Sequence, residues 1–398
     1  MQAVKRPYGV TAELIDNRRF HRSEKEASMT TEISLSHQLR FRNSFVQNGW
    51  TYGEALGHFV LDRGYIPTNS PKLVEVGGGL GDVAHDFISV LLEAKKDVSY
   101  TIVDLSPKLQ QAQRRRLAEF GDRVCFINGD AERLARLVQP ADFVLCNEAV
   151  GDFRTIKGIP ADIKIMGEDR EPDPFTKRLL GVALGLIRKY DLEVPDAEYL
   201  RHHSGEKTFA LNYGAIKFVE SLGEVLKPGG CAFVVEHADE LSGPIRLLGH
   251  TEYTMSTRHM EQVLKKLGFT WSRGDANDFL KIDCESRGRL VSFQHVAYWL
   301  AMGADPMPLL RHADVSETHG QHCEELSPYA QKIKANPETY FVLDWAVTPG
   351  EFEQLKEERG WNIDGKPCTE SIGPSAFAYY AIRKPTKVDV EPKAFPKI

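Results

Sequence analysis

Leu73-Val74-Glu75-Val76-Gly77-Gly78-Gly79-Leu80-Gly81 decides the fold. A short apolar run ends in closely spaced glycines, and a segment of helical period follows from Asp82 to Ala94, with Val83, Phe87, Val90, Leu91 and Ala94 on one side. A second strand-like run, Tyr100 to Leu105, comes next. Strand, glycine turn, helix, strand is the repeating unit of a parallel α/β sheet. The alternation continues with a helix at Lys108–Phe120, a strand at Arg123–Asn128, a short helix at Ala131–Leu137 and a strand at Asp142–Asn147.

Working outward, residues 1–70 are polar with aromatic interruptions and read as a helical N-terminal extension. Its clearest stripe is Ala55, Leu56, Phe59, Val60 and Leu61. Residues 71–152 form the cofactor-binding half of the core. The rhythm breaks at 153–211, rich in Pro, Asp and Glu, which reads as an insertion covering substrate. Residues 212–240 resume the core with a helix at Asn212–Leu226, a turn Lys227-Pro228-Gly229-Gly230 and a strand Cys231–Glu236. A helical substrate-side segment follows at 241–337, with helices at Met255–Leu267 and Val291–Met302. The stretch 338–398 holds strands at Tyr340–Val347 and Ala376–Ile382.

Composition excludes several classes. The 398 residues suffice for two or three structural units at about 150 residues each. Hydrophobic residues at 42% and charged residues at 27% are globular proportions, so fibrous and disordered readings fall away. A net charge of −6 supplies no global field for a polyanion, so no nucleic acid is expected. No apolar run approaches the ~20 residues of a membrane span, and no apolar leader is evident near residue 1, so a soluble, cytoplasmic protein is expected. The six cysteines form no CxxC pair and read as reduced, packed thiols.

Glu75-Val76-Gly77-Gly78-Gly79-Leu80-Gly81 has the form E-x-G-x-G-x-G. Glycine lets the backbone turn tightly and approach a ligand that a Cβ would hold off. A dinucleotide fingerprint starting at Gly77 needs glycine at position 82, where Asp82 stands; a carboxylate at a helix N-terminus repels a pyrophosphate. A cationic or zwitterionic ligand tolerates it. Asp104, at the end of the second strand, suits both hydroxyls of a ribose, and Asp130, after the third, suits an adenine amino group. An adenosine with a positive centre and no pyrophosphate is S-adenosylmethionine. The expected cofactor residues are Glu75, Gly77, Gly79, Gly81, Asp104, Leu105, Asp130, Ala131 and Asn147.

With these residues the chain resembles the class I methyltransferases, which implies a Rossmann-like seven-stranded α/β sheet. Three stretches are similar to the MidA-like family, which includes the mitochondrial complex I assembly arginine methyltransferase. Asp104-Leu105-Ser106-Pro107-Lys108-Leu109 through Gln113-Arg114 resembles its acidic-x-S-P-x-L-x-x-x-Q-R stretch, and Asn147-Glu148-Ala149-Val150 its strand-end N-E pair. His250-Thr251-Glu252-Tyr253-Thr254 and the later Phe293–Gly303 segment are similar in order to its H-x-D-F-T segment and following helix. The likeness spans roughly residues 71–345. The chain departs where Gly151 stands for the family's acid, with Asp152 one position late, and where Glu252 replaces an aspartate.

Methyl transfer from a sulfonium needs proximity, alignment and a deprotonated nucleophile, and it calls for no metal. Residues after the fourth and fifth strands face the transferring methyl: Asn147, Glu148, Asp152, Glu236 and His237. For a guanidinium acceptor, which the resemblance implies, Glu148 is the bidentate partner with Glu236 opposite; for a hydroxyl acceptor, His237 is the base. The acceptor is a protein or a small molecule, and a non-catalytic assembly factor that binds the cofactor is a further alternative. His319, His322 and Cys323 have metal-ligand spacing but sit in a polar, glycine-containing stretch, and His202-His203 and Arg114-Arg115-Arg116 read as surface. The helix around Trp299 reads as core or lid, with a homodimer face as the second option.

Overall fold

The computed structural model describes residues 11–23, 34–38, 50–164, 173–203, 207–246, 250–280, 290–291, 344–345 and 377–386. The N-terminal part holds β1 (Glu13–Ile15), α1 (Arg18–His21), α2 (Leu35–Gln38) and α3 (Tyr52–Asp62). Thr51 starts α3 with a capping box, its hydroxyl accepting from Glu54 N while the Glu54 side chain accepts from Thr51 N. The core then builds by alternation: β2 (Lys72–Val76), α4 (Asp82–Glu93), β3 (Ser99–Asp104), α5 (Pro107–Arg116), β4 (Val124–Asn128) and, after a 3-10 segment at Ala131–Arg136, β5 (Ala141–Asn147). β6 (Thr155–Pro160), α6 (Pro174–Tyr190), α7 (Ala197–His203) and β7 (Thr208–Leu211) follow. Next come α8 (Tyr213–Val225), β8 (Leu226–Asp239), β9 (Pro244–Arg246), β10 (Thr251–Tyr253), β11 (Met255–Ser256), α9 (Thr257–Lys266), β12 (Thr270–Asp275) and α10 (Asn277–Leu280). The two-residue strands β13 (Leu290–Val291) and β14 (Asp344–Trp345) pair with each other, and β15 (Phe377–Arg383) returns to the core.

The main sheet runs β12-β15-β8-β5-β2-β3-β4, with β11 attached to the end of β8. β4, β3, β2, β5 and β8 are mutually parallel, and β15 is antiparallel to both β8 and β12. One reversed strand between the last two positions of an otherwise parallel sheet is the class I methyltransferase order, so the expected fold is the observed one. Alternate residues serve opposite faces of the sheet. Leu73, Phe143 and Phe233 pack with Tyr52 and Phe87 from α3 and α4, whereas Val74, Val144 and Val234 pack with Ala183 and Phe218 from α6 and α8. Truncating a fully buried phenylalanine such as Phe143 costs about 3–5 kcal/mol.

Three details differ from the sequence reading. The N-terminal extension is not wholly helical: β1 forms the edge of a separate three-stranded sheet, β1-β6-β7, so residues 13–15 are joined to the 153–211 stretch. That pairing is invisible in a three-residue strand. The Lys227-Pro228-Gly229-Gly230 turn is a bulge inside β8 and not a boundary before it, since Leu226 pairs with Ala141 and Cys231 with Phe143. The helix expected at Met255–Leu267 starts two residues later, because Met255 and Ser256 pair with β8. The expected helix at Val291–Met302 and strand at Tyr340–Val347 lie outside the described residues except for Val291 and Asp344–Trp345, as do His319, His322, Cys323 and Trp299. His202 is exposed on α7, as expected.

Candidate functional site

β2 is buried from Leu73 to Val76 and delivers the chain to the glycine loop at its carboxyl end. Gly77 has φ +68°, a region L side chains rarely adopt, and a Cβ there would sit 2.6 Å from the Ala149 Cβ. Gly81, with φ +92°, caps α4. The loop opens on a cleft of about 380 Å³ lined by Ser34, Ser36, Glu75, Gly77, Gly78, Gly79, Leu80, Asp82, Val83, Asn147 and Glu148. Glu75 is buried there with Tyr100 Oη donating to it at 3.2 Å, and burial pushes its carboxyl up to about 8. Asp82, at the start of α4, takes a hydrogen bond from Arg116 Nε at 2.8 Å.

Asp104 ends β3. Its Oδ1 accepts from Ser106 N and its Oδ2 from Gln113 Nε2, both at 2.8 Å, and burial raises its carboxyl. Gln113 Nε2 also reaches Gly79 O at 2.9 Å, so one buried amide ties the strand-end acid to the glycine loop. Leu105 beside it is half-buried and Ala131 is buried. Asp130 caps the Ala131–Arg136 turn through Glu132 N, and its Oδ2 takes Arg18 Nη1 at 3.2 Å.

The N-terminal segment closes the far side of the cleft. Tyr52 Oη donates to Asn147 Oδ1 at 2.6 Å, while Asn147 Nδ2 donates to Ser36 Oγ and Glu148 Oε1, each at 3.2 Å. Glu148 has φ +51°, and its carboxylate accepts from Leu35 N at 2.6 Å and Ser36 N at 2.9 Å. The group expected to grip a guanidinium is therefore occupied by the first amides of α2. Desolvation raises its carboxyl against the pull of these donors.

Beyond Glu148 lies a second cluster. A Cβ at Gly151 would come 3.3 Å from Glu252 Oε2 and 3.5 Å from Glu236 Oε1, so this position lies between two carboxylates. Glu236 is buried and accepts only backbone hydrogen bonds among the described residues, from Gly151 N and His237 N at 2.8 Å. Burial first, and then the charge of Glu252, raises it well above the usual carboxylate range. Asp152 Oδ1 lies 2.8 Å from His21 Nε2 and 3.2 Å from His250 Nε2, and these imidazoles hold its carboxyl low despite burial. Burial alone would depress His250, but Asp152 and Glu252, the latter 3.1 Å away, bring it up to about 10. Burial takes His237 down to about 4, leaving it neutral, with its ring edge against Phe377.

The structure thus gathers Glu75, Gly77, Gly79 and Asn147 at the cleft, with Asp104 and Gly81 directly behind the loop, and Glu236 and His237 farther along the strand ends. Sequence reasoning missed the contributions of Arg18, His21, Ser34 and Ser36, which carry no motif, and of Gln113, whose place in the strand–helix stretch was the available signal. The cleft suits S-adenosylmethionine: Gly77, Gly78 and Gly79 line it with backbone free of side chains, and the lining acids Glu75, Asp82 and Glu148 suit a ligand bearing a sulfonium and an ammonium. When bound, this cofactor supplies an activated methyl group.

Residues 60–153 match a family described as "Putative S-adenosyl-L-methionine-dependent methyltransferase". No curated protein matches the sequence. Among solved structures, phosphoethanolamine N-methyltransferase 2 of Haemonchus contortus with bound S-adenosyl-L-methionine is 13% identical, covering 94% of this chain and 60% of that one at a TM-score of 0.44. An uncharacterized protein from Burkholderia thailandensis is 13% identical over 83% of this chain and 78% of its own, at a TM-score of 0.38. Among the described residues no helix is long and apolar enough to cross a membrane. With the sheet order, the glycine loop, the strand-end acid and the family match over residues 60–153 in agreement, the chain is an S-adenosylmethionine-dependent methyltransferase.

Proposed function

We propose that the acceptor is a nitrogen that arrives as a cation, with a protein arginine side chain as the first candidate, in keeping with the resemblance to the MidA-like family. The observation that carries this reading is Glu236: a buried carboxylate with no Lys or Arg partner among the described residues, facing Glu252 across Gly151. A buried and a half-buried carboxylate, both with raised pKa values, are relieved by a cation between them. A guanidinium has the charge and the fork of donors to meet both. As the N–CH3 bond forms and the methyl's bond to the sulfonium sulfur breaks, the nitrogen gives up one proton, which goes to the Glu236 carboxylate that the bound cation has kept ionised. Asn147 and Glu148 serve the cofactor side, holding the N-terminal segment against it.

The test is transfer of labelled methyl groups to arginine-containing peptides. Glu236→Gln is expected to lower kcat at least about 100-fold, the scale of a lost acid–base group, with cofactor binding unchanged. Equal turnover by the variant, or methylation confined to hydroxyl acceptors, would overturn the reading. His237 supports a second one: its Nδ1 is buried without a hydrogen-bond partner and its ring is neutral, the state a base for a small hydroxyl acceptor requires. In that case His237→Ala abolishes turnover and Glu236→Gln does not.

A further inference from the structure

His21 Nε2, Asp152 Oδ1 and His250 Nε2 all lie within 4.8 Å of one another, although they come from α1, from the loop after β5 and from the approach to β10. We propose that these three side chains bind one divalent transition-metal ion of the zinc, manganese or ferrous class. The separations carry the first part of the case. Two ligand atoms each about 2.0–2.2 Å from a common ion are about 3 Å apart at right angles and about 3.4 Å apart in a tetrahedron; the two imidazole nitrogens stand 2.8 and 3.2 Å from the Asp152 oxygen, so a small outward shift of His21 admits an ion.

Hydrogen bonding explains the same geometry poorly. Asn17 Nδ2 already donates to Asp152 Oδ1 at 3.2 Å, so both imidazoles converge on an oxygen that has a donor. His250 Nε2, with at most one hydrogen, also lies 3.1 Å from Glu252 Oε1. An ion at the point of convergence needs no such sharing, because it displaces the Nε2 proton and takes the lone pair of each nitrogen.

Charge and enclosure point the same way. Two imidazoliums with centroids 5.6 Å apart in a half-buried site repel each other. Neutral imidazoles around one dication instead balance it against Asp152 and the neighbouring Glu252. The two rings cross at 76°, and Phe20 stacks on His250 at 4.1 Å, covering the cluster. Asn17 Nδ2 reaches Thr251 O at 2.9 Å as well, tying the Asp152 loop to β10 in the manner of the outer groups that orient metal ligands. Two nitrogens and one carboxylate favour a transition metal over magnesium or calcium. Three protein ligands leave a coordination position open, beside which Glu252 stands. This proposal holds for either acceptor chemistry.

The test uses the full-length protein stripped with a chelator and titrated calorimetrically with zinc, with magnesium in parallel. One zinc per chain is expected, with no magnesium binding at comparable concentration. Changing groups that merely orient ligands costs about 10–100-fold in affinity, so His21→Ala or His250→Ala should lose more than ~100-fold, while His202→Ala, an exposed histidine on α7, should lose nothing. Cobalt gives a readout independent of variants: the wild-type protein is expected to show visible bands shifted from those of the aquo ion by imidazole ligation, strong if the site is four-coordinate and weak if it is six-coordinate. A cobalt spectrum like that of the aquo ion, or zinc binding that persists in a folded His21→Ala variant, would overturn the proposal.

Discussion

Around the glycine loop the hydrogen bonds span short stretches of chain. Asp104 accepts from Ser106 two residues on and from Gln113 nine on, and Gln113 reaches back 34 to Gly79. At the ends of β5 and β8 the partners are distant: Glu148 with Ser36 across 112 residues, Asn17 with Asp152 across 135, and Asn17 with Thr251 across 234. One half of the strand-end surface is a local structure that a motif can encode. The other is a meeting point of remote segments that exists only after folding, and it should be the first part lost when the N-terminal segment loosens.

A glycine on each side gives the sharpest contrast. Gly77→Ala adds left-handed strain of roughly 1–2 kcal/mol to an overpacking cost of roughly 1–3 kcal/mol against Ala149. Calorimetry with S-adenosylmethionine should show binding weakened at least about 100-fold, with a lowered Tm. Gly151→Ala meets the carboxylate tips of Glu252 and Glu236 at 3.3 Å and 3.5 Å and the Glu252 Cβ at 3.5 Å, with no atom closer. It should leave cofactor affinity within about threefold while reducing turnover. Equal loss of cofactor binding in both variants would erase the distinction between the two halves.

The next effect separates local from remote caps. Glu148→Ala strands the Leu35 and Ser36 amides, a cost of about 1–3 kcal/mol, and hydrogen exchange at residues 34–38 should accelerate. Ser106→Ala removes the N-cap of α5, worth about 1 kcal/mol, and should leave exchange at 34–38 unchanged. If both variants loosen residues 34–38 alike, Glu148 is not what holds the cover.

These differences explain what was legible in the sequence. The parallel strands of the sheet followed from Leu73–Val76, Tyr100–Leu105 and Asp142–Asn147, because parallel strands buried on both faces are short apolar runs whatever their neighbours. Gly77 and Gly81 followed because positive φ in the loop calls for glycine, and Glu75 and Asp104 from their places near the ends of β2 and β3. Glu148 was found by position, but its partners were not, since nothing local to Leu35 or Ser36 distinguishes an amide pair that will meet a carboxylate more than 110 residues away. His21 and Arg18 escaped for the same reason. A short polar stretch carries no periodicity to say where it docks.

Glu75 belongs to the local half and gives it a pH signature. Its folded pKa is about 8 against an ordinary 4.5, so between these values the folded chain keeps a proton that the unfolded chain has lost. The stabilising contribution is complete below about pH 4.5 and is lost as pH rises through about 8. Thermal melts of the cofactor-free protein should show Glu75→Gln gaining on the wild type as pH rises across this window. A constant gap between the two would mean that Glu75 is not the group responsible.

The smallest effect tests the seam between the halves. Arg18 reaches Asp130 from the N-terminal segment while also pairing with Asp16, and its side chain is a quarter exposed. Ion pairs this accessible contribute at most about 1 kcal/mol and are screened by salt. Arg18→Ala should therefore lower stability by less than about 1 kcal/mol, less still in high salt, and leave cofactor affinity within about threefold. Asp130→Ala removes more: the cap on the Ala131–Arg136 turn, worth about 0.5–2 kcal/mol, and the acceptor expected for an adenine amino group. Weaker cofactor binding in Asp130→Ala but not in Arg18→Ala assigns Asp130 to the cofactor and leaves Arg18 as a clasp. Parallel losses would instead make Arg18 part of the adenosine pocket, extending the cofactor half into the N-terminal segment and moving the boundary between the two regions.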